Sequence, residues 1–301
     1  MEIPKYDINK YDPKRMMAIP AALFGIALVI VLITFAMTGM PVTPGIDFAG
    51  GTAVTIHTDD TKEQLIAFYE GYDLKSIDEG IGSGGYYLKF GPMSNEEMMT
   101  FNDYTISAYP DASIDQIGAN FGATLQGQAM WAILFAFIGM AVVVFIAFRR
   151  VIPAVTVVCA GIADITITSA VMNLVGIELS LATTAALLML IGYSVDSNIL
   201  LTTKVLKREG NLEDKLAGAF RTGIIMTTTT LGAIVAMFIV AFIGQVPTLY
   251  NIAAVLIIGL ISDIIFTWVF NAGVLRLYLG STEKPQYAPK QPKKNIKGAK
   301  Q

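Results

Sequence analysis

Charged residues are scarce in this chain of 301 residues. Asp, Glu, Lys and Arg together make up 15% of it, against about 25% in an ordinary globular protein, whereas hydrophobic residues make up 54%. This composition excludes a disordered chain, a nucleic-acid-binding protein and an ordinary cytosolic enzyme. The sequence therefore predicts an integral membrane protein.

Cysteine and histidine are almost missing. The one cysteine excludes an internal disulfide, and the one histidine argues against a histidine-based metal site. The sequence also lacks the G-x-x-x-x-G-K-[ST] loop that holds the phosphates of ATP. We therefore expect no cofactor, no metal and no enzymatic activity.

Long hydrophobic runs, in contrast, occur six times. Crossing about 30 Å of hydrocarbon takes roughly 20 residues of helix, and six stretches are long enough. The predicted fold class is an α-helical polytopic membrane protein with six transmembrane helices. These spans are 17–39, 128–148, 151–174, 181–203, 222–243 and 250–279.

The basic residues predict the orientation in the membrane. Of the 21 Lys and Arg residues, 18 lie in segments that must share one side, and the positive-inside rule places that side in the cytoplasm. The cytoplasmic segments are then the N-terminus 1–16, a loop with a short helix at 204–221, and a disordered tail at 280–301. The loop 40–127 has three Lys residues against thirteen acidic ones, so we expect it outside the cytoplasmic membrane.

The loop 40–127 is too long for a simple connection and has the pattern of a small α+β domain. Its order of predicted elements is βαββαβ, which is typical of a ferredoxin-like sandwich. Ser94, with Glu97 three residues later, predicts a capped helix start. The strands are expected at 51–58, 72–78, 85–90 and 111–117, and the helices at 60–69 and 94–108.

Three aspartates fall inside the predicted spans, where each costs roughly 2.5–3.5 kcal/mol on insertion scales. Asp164, Asp263 and Asp196 lie roughly 15, 20 and 22 Å from the outer boundary at 1.5 Å per residue. Arg221 begins the fifth span, and its long side chain could reach toward Asp196. These four residues are candidates for a proton or ion relay. The alternative is a set of static polar contacts between helices.

Three motifs in order resemble the SecF family, which is related to the RND transporters. The first, Pro44–Thr52, is close to the family signature after the first span, and its glycines suit a tight turn into a strand. The second runs from Asp164 to Val195, and the third comprises Phe220–Thr222 and Thr227–Thr230. The signature residues are Gly45, Asp47, Phe48, Gly50, Gly51 and Thr52.

The fourth span departs from the usual bacterial pattern. Bacterial members have an aspartate at the position that Ser197 occupies here, whereas this chain has Asp196 one residue earlier. One residue on a helix is about 100° of rotation. Ala163 before Asp164, and Asp263 in the sixth span, make the chain more like archaeal members.

The resemblance implies a heterodimer with SecD that associates with a SecYE-type translocation channel, a translocating preprotein and membrane lipid. In such a complex, the ion gradient drives protein export, and Asp196, Arg221 and Asp164 form a relay at the subunit interface. Two other functions stay open at this point. One is a static scaffold that stabilises the channel, and the other is an RND-type small-molecule exporter, which predicts a second large outer loop or an internal repeat.

Overall fold

The computed structural model describes residues 12–79, 85–207, 212–244 and 246–282. Six helices among these residues are long and apolar enough to cross a membrane. A four-stranded sheet lies between the first and second of them. Both observations confirm the predicted fold class. In chain order, the elements are α1 Pro13–Thr38, α2 Ile46–Ala49, β1 Gly51–His57, α3 Lys62–Phe68, β2 Leu74–Glu79, β3 Gly85–Phe90, α4 Asn95–Ala108, β4 Ser113–Ile117, α5 Ala119–Phe148, α6 Val151–Val175, α7 Leu181–Lys207, α8 Leu212–Ile243, α9 Pro247–Ile265, a π-helical segment Phe266–Asn271 and α10 Ala272–Thr282.

The sheet has the order β2-β3-β1-β4 with every pair antiparallel, as in a ferredoxin-like sandwich. Alternate residues of β1 and β3, such as Val54 and Leu88, are buried against α3 and α4. Tyr69 and Phe101 fill the centre of this core with edge-on and tilted ring contacts. The predicted capping box at Ser94 is present, and Thr61 forms a second one with Gln64.

The membrane bundle has an inner and an outer set of helices. In α6, α7 and the span that contains α9, at least half of the residues in the most apolar stretch are buried inside the bundle. In α1, α5 and α8 the buried share is 17%. Small buried residues on α6, such as Ala160 and Ala163, allow neighbouring helices to approach closely. The inner helices therefore hold most of the bundle interior, and the outer helices present large apolar surfaces.

Several predicted boundaries differ from the structure. Instead of a loop with a separate short helix at 204–221, α7 continues to Lys207 and α8 begins at Leu212 and includes Arg221, with residues 208–211 outside the described part. Residues 212–221 contain no proline to end a helix, and Leu216 and Ala219 are buried against Trp268. Packing on neighbouring elements thus stabilises a longer helix than hydropathy alone predicts.

The other spans are also longer than predicted. The first begins at Pro13, the second at Ala119 rather than 128, and the sixth at Pro247 rather than 250. Proline is favoured in the first turn because its missing N–H has no partner there in any case. The predicted N-terminus 1–16 and tail 280–301 fall mostly outside the described residues, and α10 continues to Thr282.

Candidate functional site

Polar side chains from three helices meet inside the bundle. Asp164 on α6 is fully buried, and so, almost completely, are Ser194 on α7 and Ser262 on α9. The Ser194 hydroxyl donates to Asp164 Oδ2 over 2.6 Å, and the Ser262 hydroxyl donates to Oδ1 over 3.2 Å. Both carboxylate oxygens of Asp164 are thus hydrogen-bonded, as a buried acid requires.

Asp263 lies beside this group and is also fully buried. The hydroxyl of Thr267 donates to its Oδ1 over 2.9 Å. The hydroxyls of Ser194 and Ser197 and the carboxyl of Asp164 lie next to it, yet Oδ2 makes no hydrogen bond of normal geometry to a described residue. Asp263 directly follows Ser262, whose hydroxyl donates to Asp164, so the two carboxyl groups belong to one set of buried contacts.

Two asparagines extend the polar contacts along α7 and the π-helical segment. Asn198 donates to the backbone oxygen of Ser194 over 2.8 Å and accepts from Asn271 over 2.5 Å. Asn271 Oδ1 has no hydrogen-bond partner among the described residues, although the side chain is fully buried. The widened π-helical turn places both Thr267 and Asn271 toward these contacts, and such turns are frequent at functional sites.

We call this set of buried polar residues the interior cluster. Two of its members, Asp164 and Asp263, were predicted as candidates, whereas the hydroxyl and amide members were not. The available signal was the spacing of 194, 197 and 198, which places three polar side chains on one face of a helix. The interior cluster consists of Asp164, Ser194, Ser197, Asn198, Ser262, Asp263, Thr267 and Asn271.

Asp196 and Arg221, the other two candidates, are exposed and lie outside the interior cluster. Among the described residues, no ion pair joins them. Lys204 on α7, rather than Asp196, lies at the level of Arg221, because its ammonium donates to the hydroxyl of the neighbouring Thr222 over 2.5 Å. The helical rise from Asp196 to Lys204 is about 12 Å, which explains why Arg221 does not reach Asp196.

The exposed position of Asp196 follows from its place on α7. Asp196 lies two positions after Ser194, which corresponds to about 200° around the helix axis. The hydroxyl of Ser194 therefore points into the bundle, and the carboxyl of Asp196 points away from it. A carboxylate inside a membrane span seldom faces lipid, because it loses its hydration there.

The motif after the first span forms a compact junction between α1 and the sheet. It contains the one-turn helix α2 where we expected a turn, and Gly50 and Gly51 follow it with φ of 76° and 137°. A Cβ at Gly50 would lie 2.7 Å from the Cα of Ala119, and one at Gly51 would lie 2.6 Å from a backbone oxygen of β3. Both the left-handed backbone and the close approach require glycine.

The other residues of the motif also have defined contacts. Gly45 donates from its backbone to the oxygen of Leu179, and the carboxylate of Asp47 accepts from the N–H of Leu181 at the start of α7. Phe48 is buried, and the buried hydroxyl of Thr52 contacts the sulfur of Met98 over 3.7 Å. The motif therefore connects the α+β domain to the bundle.

Two family models match this sequence. The model for the C-terminal part of the protein-export membrane proteins SecD and SecF matches residues 98–281. The model for the SecD/SecF GG motif matches residues 35–62, which include Gly50 and Gly51.

Curated relatives match over nearly the whole chain. The protein-export membrane protein SecF of Methanolacinia petrolearia is 52% identical over 274 residues, which cover 91% of this chain and 96% of the relative. SecF of Pyrococcus furiosus is 41% identical over 279 residues, which cover 90% and 93%. SecF of Haloferax volcanii is 40% identical, with coverage of 92% and 96%.

The solved structures that match support the same fold. SecDF of Thermus thermophilus, described as a translocon-associated membrane protein, has a TM-score of 0.72 and 22% identity. The match covers 92% of this chain but only 39% of that one, so the chain spans well under half the length of the solved protein. SecDF in a super-membrane-facing form matches with a TM-score of 0.54 and 20% identity, over 90% and 38%.

Proposed function

This chain belongs to the SecF family of protein-export membrane proteins, and we propose that it promotes export as one half of a pair with a SecD subunit. The observation that carries this proposal is the exposed Asp196 on α7, in the membrane-spanning part of the chain. A carboxylate inside a span usually pairs with another group or faces a water-filled cavity, and a polar or charged group of SecD is the partner that we propose. The solved SecDF supports SecD as this partner, because its name combines SecD with SecF and the match to the present chain covers only 39% of its length.

The proposed orientation has both termini in the cytoplasm and the α+β domain outside. The charge distribution supports it, because the domain and its connections carry three of the 21 basic residues. In this arrangement, the domain meets preprotein as it leaves the channel. A SecYE-type channel is the proposed neighbour, and the description of the solved SecDF as translocon-associated supports it.

The proposed energy source is the ion gradient across the membrane. Asp164 and Asp263 form the interior part of the relay, and Asp196 and Arg221 form the part that faces SecD. A proton that enters or leaves between the two buried carboxyls changes which hydroxyls they accept from. Because these hydroxyls belong to α7 and α9, the change favours one of two helix arrangements over the other.

A static scaffold is the second candidate function. The observation that favours it is the complete hydrogen bonding of Asp164, which holds α6, α7 and α9 together with no need for proton exchange. The exporter alternative lacks such support, because α8 ends at Ile243 and α9 begins at Pro247, which leaves no room for a second large loop.

The test uses a host depleted of its own SecF and supplied with this chain and its SecD. Completion of preprotein export is followed with the ion gradient intact and after its collapse. We expect the gradient to stimulate export by the wild type and not by Asp164→Asn, with Asp59→Asn, an exposed loop position, as the control. Equal stimulation of Asp164→Asn and wild type, at equal amounts of protein, would instead favour the scaffold.

A further inference from the structure

The segment between α1 and β1 pairs with the loop between α6 and α7. Pro44 and Leu179 form a parallel bridge, in which Gly45 donates to Leu179 and Leu179 donates to Thr43, both over 2.8 Å. A Cβ at Gly45 would lie 3.0 Å from the Glu178 carboxylate, so the approach is close. The backbone leading into the α+β domain is therefore fixed to a loop of the bundle.

Side chains reinforce this pairing at both ends of the loop. Asn173, near the end of α6, accepts from the N–H of Thr43 and donates to the oxygen of Pro41, each over 3.0 Å. At the start of α7, the Asp47 carboxylate accepts from the N–H of Leu181 over 2.7 Å. The first N–H groups of a helix have no partner within it, and a negative charge there is favourable.

The sheet itself is also joined to the loop, through an ion pair. Lys89 on β3 lies 3.0 Å from Glu178, and their side chains are only 18% and 32% exposed. The adjacent Tyr87 is partly buried, and burial, together with the negative charge of Glu178, raises its pKa to about 12. Lys89 thus meets Glu178 in a partly desolvated setting, where an ion pair is screened less than on an open surface.

The two helices joined by this loop carry Asp196 and half of the interior cluster. Asp164 lies on α6, and Ser194 and Asp196 lie on α7. We infer that Asp47, Glu178 and Lys89 are positioning residues for export, which hold the α+β domain on the α6–α7 pair so that both move as one body. A rearrangement at the interior cluster would then move the domain. This inference deepens the proposed function and rests on it for its role in export.

A distance measurement tests the shared movement without any export assay. Spin labels are placed at Met99→Cys on α4 and Leu174→Cys on α6, both exposed, in a Cys159→Ser background and in the complex with SecD. Lys89 also lies 3.4 Å from Asp78 of β2, so all proteins that are compared carry Asp78→Asn. In this background, we expect one narrow distance distribution that broadens in Lys89→Glu and becomes narrow again in the exchanged pair Lys89→Glu/Glu178→Lys. The recovery separates loss of the contact from failure to fold.

A matched control is present on the same domain. Lys75 and Asp73 form an ion pair of 2.8 Å whose side chains are 60% and 63% exposed. Lys75→Glu should leave the distribution narrow. A broad distribution in the wild type, or one that Lys89→Glu leaves unchanged, would overturn the inference.

Export then tests the functional part. Gradient-stimulated export should fall several-fold in Lys89→Glu and return in the exchanged pair, while gradient-independent export and Lys75→Glu stay at the wild-type level. A merely structural role would lower both kinds of export together, and that result would overturn the positioning role. If the distances behave as expected but the wild type shows no gradient stimulation, the joined movement stands and the proposed ion coupling fails.

Discussion

The interior cluster and the exposed face of α7 place the same residue type in opposite surroundings. Asp164 is fully buried, with a hydroxyl on each carboxylate oxygen, whereas Asp196 is exposed on a helix that crosses the same bundle. A carboxylate that is satisfied within the chain can stabilise the fold. One that points out of the bundle has no such stabilising contact with the other helices.

A charged residue in a span can be stabilised within the chain or can lie on a face that is open to another molecule. The buried carboxylates of the interior cluster are stabilised by hydrogen bonds from side chains of the chain itself. Asp196 has no such hydrogen bond among the described residues, in keeping with the proposal that it faces SecD. Substitutions on the two faces of the bundle should accordingly differ in what they change.

The largest effect on stability is expected from Asp164→Leu. It leaves the buried hydroxyls of Ser194 and Ser262 without their acceptor, so we expect a loss of about 2–4 kcal/mol in the free energy of unfolding. Asp196→Leu, on the exposed face, should leave the isolated chain within about 0.5 kcal/mol of the wild type. Unfolding of the purified chain in detergent measures both effects. Equal losses would contradict the predicted difference between the buried and the exposed carboxylate.

Glycines on the two faces give a second contrast. A Cβ at Gly259 would lie 2.2 Å from a methyl carbon of Leu190 between α9 and α7, whereas one at Gly192, on the exposed face, would meet nothing within 4 Å. We expect Gly259→Ala to destabilise the chain by about 1–3 kcal/mol through overpacking. Gly192→Ala should not destabilise it but should weaken co-purification with SecD. A stable Gly259→Ala protein would contradict this packing.

A smaller effect is expected from Ser262→Ala. It removes one hydrogen bond of 3.2 Å to Asp164 but leaves the bond from Ser194, so the expected loss is about 1 kcal/mol. Thr229→Ala is the control on an exposed face, since its hydroxyl contacts only its own helix. Unfolding in detergent measures the stability of both variants. A larger loss in Thr229→Ala than in Ser262→Ala would contradict the prediction that the buried hydroxyl contributes more.

The smallest effect concerns a carboxylate in water rather than in the bundle. Hydrogen bonds from Ser94 hold the pKa of Glu97 below its ordinary value of 4.5. Because the folded state holds the charged form, this contribution to stability is present above 4.5 and is lost as the pH falls through the lower folded value. Thermal unfolding of Glu97→Gln should show a weaker acid dependence than the wild type. An unchanged dependence would contradict the capping role.

Much of the architecture could be predicted from the sequence because hydrophobic length and period depend on local residues alone. The six spans and the βαββαβ order were predicted and are confirmed. Boundaries were less predictable, since α8 begins at Leu212 because of tertiary packing on Trp268. The local sequence around residue 212 does not indicate such a contact with a distant residue.

The candidate site shows the same limit. The sequence identified Asp164, Asp196 and Asp263 by the cost of a charge in a span, but depth alone could not assign partners. The structure bonds Asp164 to Ser262, the neighbour of Asp263 on α9, and it separates Asp196 from Arg221. The face of each helix, not only the depth, therefore decides which side chains meet. The roles of these residues in ion coupling stay predictions.

The most direct test of the account is export by Asp196→Asn in membrane vesicles that contain this chain, its SecD and the channel. Completion of preprotein export is measured with and without an imposed ion gradient, and the amount of complex is measured in parallel. We predict that the variant assembles and unfolds like the wild type but loses the stimulation by the gradient. Wild-type stimulation in Asp196→Asn would contradict the account, because the exposed carboxylate would then have no part in coupling.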